Sequence, residues 1–202
     1  MMKRQLSHKD IEMEALAFLV QYHPSEKLPV PIEEIIEFQL SIHIIPTADL
    51  MKKSGVDAVT CDDLTQIHID RKQLEENSNR ARFTLAHEVG HLILHRDFIP
   101  SQKFADQRKW EEFVTEDRQR EFLETQANQF ASLILMPTES LQREYENKKQ
   151  ALVELRSAQG KAPTKREDLE KAVIRSLARK FQVSEETMAL RLKRLREVRR
   201  IK

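Results

Sequence analysis

Cysteine is nearly missing from this chain: Cys61 stands alone among 202 residues. One thiol excludes an internal disulfide framework and fits a reducing compartment. Glycine is almost as scarce, at three residues, and with 33% charged residues this favours a helix-dominated soluble protein. Long apolar runs are lacking too. The longest near the N-terminus, Ala15 to Val20, lies between Glu14 and Gln21 and is too short for a signal-peptide core. Nothing approaches a membrane span. The expected location is the cytoplasm, with no membrane partner.

What is present suffices for one good-sized domain, or a domain plus a small appendage, with 40% hydrophobic residues to build its core. The formal charge of +1 conceals an asymmetry: residues 161–202 hold fourteen Lys/Arg against six Asp/Glu, a balance of +8, leaving −7 on residues 1–160. No internal repeat is apparent.

Periodicity predicts a helix over 8–23, ending near His23-Pro24. A second helix starts at Pro31, a favoured first helical residue, and runs through Leu40. Ser41 to Pro46 reads as a strand stopped by proline; further strands are expected near Val56–Thr60 and at Gln66–Asp70. Next come a helix over 79–95, a polar stretch from Asp97 to about Lys109, and a long helix from Trp110 to Met136. Gln142–Asp168 reads as a solvated helix and linker.

The chemistry concentrates in Arg82-Phe83-Thr84-Leu85-Ala86-His87-Glu88-Val89-Gly90-His91-Leu92-Ile93-Leu94-His95, with Asn77, Ser78 or Asn79 as its N-cap. Helical i, i+4 spacing puts His87 and His91 on one face, where both imidazoles reach one ion. Glu88 lies beside them, suited to take a proton from a metal-activated water. Two buried, hydrogen-bonded histidines are the bland alternative, but two imidazoles and a carboxylate in such apolar surroundings are costly without a partner. A catalytic zinc needs a third protein ligand. Eight residues of helix put the Cα of His95 roughly 12 Å from that of His87, so a role packed or hydrogen-bonded beside the site suits it better. Glu124 is the better third ligand, with Asn128 one turn later suited to support a ligand by hydrogen bonding; Glu121 is the runner-up.

Phe83 to His91, followed by Glu124-x-x-Ala127-Asn128-x-Phe130-Ala131 and Leu135-Met136-Pro137, resembles the ImmA/IrrE family of zinc metallopeptidases. The resemblance extends to Pro29-Val30-Pro31-Ile32-Glu33-Glu34-Ile35 and the Ile67–Asp70 strand, and covers roughly residues 25–140. It implies zinc held by His87, His91 and Glu124 with Glu88 as catalytic base. It also implies a protein substrate, a helix-turn-helix repressor whose cleavage releases stress-response or mobile-element genes. The stretch between His91 and Glu124 looks long for the family. The resulting expectation is an α+β, mostly helical fold: a zincin-like helical core with the H-E-x-x-H helix, a small three-stranded sheet and a C-terminal helix-turn-helix-like segment. The domains are drawn as a peptidase domain at 1–140, a charged helix and linker at 141–168, and a basic segment at 169–202.

That segment carries helical patterns at Leu169–Phe181 and Ser184–Val198, with Ser184 as cap of the second. Read as a helix-turn-helix, it offers Arg191, Lys193 and Arg194 to DNA. Read as a packing or docking element, which is the favoured reading, it needs no nucleic acid, since cations at helix C-termini are ordinary dipole complements. Tyr145 is a weak candidate for steadying an oxyanion. Cys61 admits a latent-enzyme idea, a thiolate closing the metal's open position, against the plainer reading of a buried thiol. The competing function is a DNA-binding or sensor regulator with an inactive metal site.

Overall fold

The computed structural model describes residues 6–61, 63–96, 118–160 and 165–200. The expected polar stretch after Asp97 and the first turns of the helix expected from Trp110 lie outside the described residues. The fold is α+β and mostly helical, with one small mixed sheet. In chain order the elements are α1 (His8–Tyr22), α2 (Ile32–Glu34), β1 (His43–Thr47), α3 (Leu50–Ser54), β2 (Ala58–Thr60), β3 (Gln66–Asp70) and α4 (Arg71–Glu76). Then follow α5 (Ser78–Leu94), α6 (Arg118–Leu135), α7 (Thr138–Ala158), α8 (Arg166–Phe181) and α9 (Glu185–Arg200).

Helix α1 starts at a capping box in which the Ser7 hydroxyl accepts from the Asp10 N–H and the Asp10 carboxylate accepts from the Ser7 N–H. The helix expected from Pro31 to Leu40 is different in kind. Pro31 is its cap, one α-turn follows, and Ile35–Gln39 continue as a π-helix that closes with Leu40 N–H on Ile35 C=O. Ile32, Ile35 and Ile36, at i, i+3 and i+4, are all buried.

The sheet order is β1-β3-β2, with β1 parallel and β2 antiparallel to β3. The first strand starts later than expected because Ser41 takes a left-handed φ of 56°. It also runs past Pro46 rather than stopping there. As β1 lies at the edge, the N–H that proline lacks is not required by a second neighbour.

Helix α5 is the spine of the molecule. Ala81, Leu85, Ala86, Val89 and Leu92 are buried along it, and together with Phe130, Ile134 and Leu135 of α6 they belong to one contiguous core. Near its start the buried Arg82 donates to Glu33 Oε2 at 2.6 Å and to the Val30 carbonyl at 2.5 Å, tying the helix to the turn before α2. The C-terminal helices join the same core through Val173, Leu177, Phe181, Val183, Met188 and Leu192. Ser184 caps α9 as expected, accepting from Thr187 N–H at 3.0 Å. The helix expected from Leu169 begins earlier, at Arg166.

Gly90 sets the spacing of α5 and α6. A Cβ there would lie 3.0 Å from both the Cα and the carbonyl oxygen of Ala127, backbone atoms that have little room to yield. Overpacking costs typically ~1–3 kcal/mol, against ~1 kcal/mol that alanine gains over glycine in a helix interior. Gly90→Ala is therefore expected to destabilise the fold by about 1 kcal/mol, seen as a lower urea midpoint. An unchanged or higher midpoint would show that the helices have slack.

Candidate metal centre

Three side chains from two helices meet where α5 and α6 pass each other. His87 and His91 extend from α5 with their Nε2 atoms 3.0 Å apart. Glu124 reaches across from α6, placing one carboxylate oxygen 3.1 Å from His87 Nε2 and the other 3.5 Å from His91 Nε2. One ligand atom from each of the three lies within 4.8 Å of the other two. Among the described residues, this is the His/Cys/Asp/Glu group able to hold an ion. Glu121, the runner-up, is exposed one turn earlier on α6.

The remaining imidazole nitrogens are also engaged. His87 Nδ1 lies 3.0 Å from Asn128 Oδ1, one turn after Glu124 on α6. His91 Nδ1 lies 3.0 Å from His95 Nδ1, and His95 Nε2 lies 2.9 Å from Gln126 Oε1. His95 thus sits behind the site and not among its ligand atoms. Glu88 is buried, and Thr60 of β2 donates its hydroxyl to Glu88 Oε2 at 2.7 Å. Sequence reasoning missed Thr60, because a short strand 28 residues upstream carries no local mark of its contact. Gln126 was missed as well. Its one signal is a polar residue in an otherwise apolar face, and it is buried.

The electrostatics are those of mutually dependent groups. Burial pushes the Glu124 carboxyl upward, but hydrogen bonds and charge from His87 and His91 outweigh it and hold the group far below the usual carboxylate range. Burial pulls His87 down, yet Glu124, Glu88 and Asn128 together raise it above its ordinary value.

The other residues singled out from sequence lie elsewhere. The Tyr145 hydroxyl accepts from Arg196 at 3.1 Å, on the α7–α9 face. Arg191 points inward, 5% exposed, donating to the Met136 carbonyl at 3.3 Å and to Thr138 Oγ1 at 2.8 Å. Burial lowers it to about 10, with Glu12 acting upward and Arg194 downward. A nucleic-acid contact by Arg191 would have to give up those bonds. Lys193 is exposed and Arg194 half-buried.

A family model, Peptidase M78, described as the IrrE N-terminal-like domain, matches residues 47–193. The chain belongs to this family. The M78 match takes in β2, the metal-centre helices and most of the basic segment. Among solved structures, a Mycobacterium tuberculosis transcriptional regulator is similar, with a TM-score of 0.56 and 16% identity over 91% of this chain and 46% of that one. The likeness is one of fold, and this chain spans less than half the length of that protein. No curated protein matches significantly. Among the described residues no helix is long and apolar enough to cross a membrane.

The donor set suits an M78 metal. Donors ~2.0–2.1 Å from a tetrahedral zinc stand roughly 3.3 Å apart, close to the 3.0, 3.1 and 3.5 Å separations here. Two imidazoles and one carboxylate leave a tetrahedral ion one open position.

The two shifts fix a pH window for the metal-free protein. Glu124, depressed from an ordinary 4.5, stabilises the fold above that value and loses the effect as pH falls through its folded value. His87, raised from 6.5, contributes fully below 6.5 and loses its contribution as pH rises through its folded value. In chelator, wild type should therefore be less stable at pH 9 than at pH 6, and Glu124→Gln should shrink that difference. Urea titrations of both proteins at the two pH values measure it; an equal difference in both would disprove the coupling.

Proposed function

We propose that this protein is a cytoplasmic zinc-dependent endopeptidase that cuts a partner protein, with Glu88 as general base. The observation that carries the reading is the meeting of His87, His91 and Glu124 at one point, with Glu88 next in sequence to the first of them. Membership of a peptidase family supports peptide-bond hydrolysis. Two nitrogens and one carboxylate oxygen, with no thiolate among them, suit zinc with an open position. A zinc ion held there would lower the pKa of water toward ~7 and polarise the scissile carbonyl.

The protein's own residues supply the proton path and the orientation. Glu88, steadied by the Thr60 hydroxyl, takes a proton from the attacking water and returns it to the leaving nitrogen. Asn128 accepts from His87 Nδ1–H and leaves the other ring nitrogen free to bind metal. The substrate we favour is a helix-turn-helix repressor. The family resemblance points to it, and the similarity to a transcriptional regulator agrees with a regulatory setting. The lone cysteine fits a reducing cytoplasm.

The test is purified protein incubated with a helix-turn-helix repressor from the same genome. Wild type should carry zinc and cleave. Glu88→Gln should keep zinc and lose about 10²–10⁴-fold in cleavage rate, whereas Glu124→Ala should lose the metal. Metal analysis and electrophoresis of the repressor read both effects. An active Glu88→Gln protein would overturn the assignment. Intact repressor together with salt-sensitive binding of its operator would instead favour the regulator with an inactive site.

A further inference from the structure

Behind His91 runs a line of hydrogen bonds that crosses three segments of the chain. It starts at the backbone carbonyl of Leu6, just before α1, which accepts from Gln126 Nε2 at 3.3 Å. A carbonyl can only accept, so the amide nitrogen of Gln126 must face Leu6 and its Oε1 must face His95. Oε1 also can only accept, which places a hydrogen on His95 Nε2, 2.9 Å away. In a neutral ring the other nitrogen then carries the lone pair. His95 Nδ1 therefore accepts from His91 Nδ1 at 3.0 Å, and the hydrogen of His91 sits on Nδ1. When His91 is neutral its lone pair is left on Nε2, the atom 3.0 Å from His87 Nε2 and 3.5 Å from Glu124.

We infer that His95 and Gln126 are positioning residues that fix the tautomer and orientation of His91, transmitting a constraint from the backbone before α1 to the metal centre. The inference rests on the metal-centre reading of His87, His91 and Glu124. Burial makes the line effective: Gln126 is 4% and His95 6% exposed, so water cannot replace a missing partner cheaply. A free neutral imidazole prefers its hydrogen on Nε2, the arrangement that would block binding, so the line opposes an intrinsic tendency of the ring. The anchor also lies outside the matched family region, which begins at residue 47. Residues 6–22 thereby acquire a task at the site besides covering the core.

Two measurements test this. The first is ¹⁵N NMR of the imidazoles in metal-free protein, which needs neither zinc nor substrate. At a pH high enough to keep the ring neutral, wild type should show His91 with its hydrogen on Nδ1, and His95→Leu should shift it to Nε2. His87, supported independently by Asn128, should keep its pattern in both proteins. The second is Zn²⁺ affinity by competition with a chromophoric chelator. His95→Leu should weaken binding by about 10–100-fold. Gln126→Leu should weaken it less, and His95→Asn, which keeps an acceptor where Nδ1 stands, should recover most of the loss. Neutral wild-type His91 with its hydrogen on Nε2 would overturn the inference, as would a His95→Leu protein with wild-type affinity. If His95→Leu fails to fold, wild-type NMR and His95→Asn decide. Wild type that binds no zinc would defeat the metal-centre reading, while the NMR arm still reports on the hydrogen-bonded line.

Discussion

The close approach of α5 and α6 at Gly90 is the constraint on which the rest depends. A metal centre needs donors at fixed separations, and the candidate donors here come from two separate helices. Packing must supply what sequence proximity cannot. Contact of Gly90 with the Ala127 backbone fixes the interhelical distance, so that Glu124 reaches both histidines. Phe130, Ile134 and Leu135 of α6, packed into the core with Leu85 and Val89 of α5, hold that distance. The helix that carries both histidines is also the spine of the core. Arg82 adds an end stop, since its buried guanidinium lies between Glu33 and the Val30 carbonyl. Removing either partner would leave a buried charge incompletely paired.

Much of this was legible in the sequence, for identifiable reasons. H-E-x-x-H is local: i, i+4 geometry on a helix settles which side chains share a face, and α5 spans 78–94 against an expected 79–95. Glu124 and Asn128 are local in the same sense. Gln66–Asp70, with its clean alternation, was placed to the residue. Elements that depend on their neighbours were harder. β1 runs through Pro46 only because it lies at a sheet edge, and edge position is a property of topology. The π-helix at Ile35–Gln39 left no mark in the spacing of Ile32, Ile35 and Ile36, which an ordinary α-helix would also set on one face. Thr60 belongs to the same class, being recognisable only once β2 is seen beside α5. Arg191 shows the opposite error. Among so many cations it reads as surface, yet it spends its charge on the C-terminal end of α6.

The environment of the site assigns separate tasks to residues of similar type. Glu124 lies between two imidazoles and is held strongly anionic, a state suited to binding a cation. Glu88, one position from His87, is turned to β2 and receives a hydroxyl hydrogen bond instead. His87 is backed by an amide and His91 by a second histidine, so the two rings answer to different parts of the fold.

Glycine in a helix is ordinarily its weakest joint. In α5 the lone glycine is clamped against a neighbouring backbone, and the place where this helix would most readily flex is the place where it is gripped. Bending α5 there has to carry α6 along. His87, His91 and Glu124 are thereby held in register by one backbone contact, whereas Glu88 is held from the sheet, by Thr60.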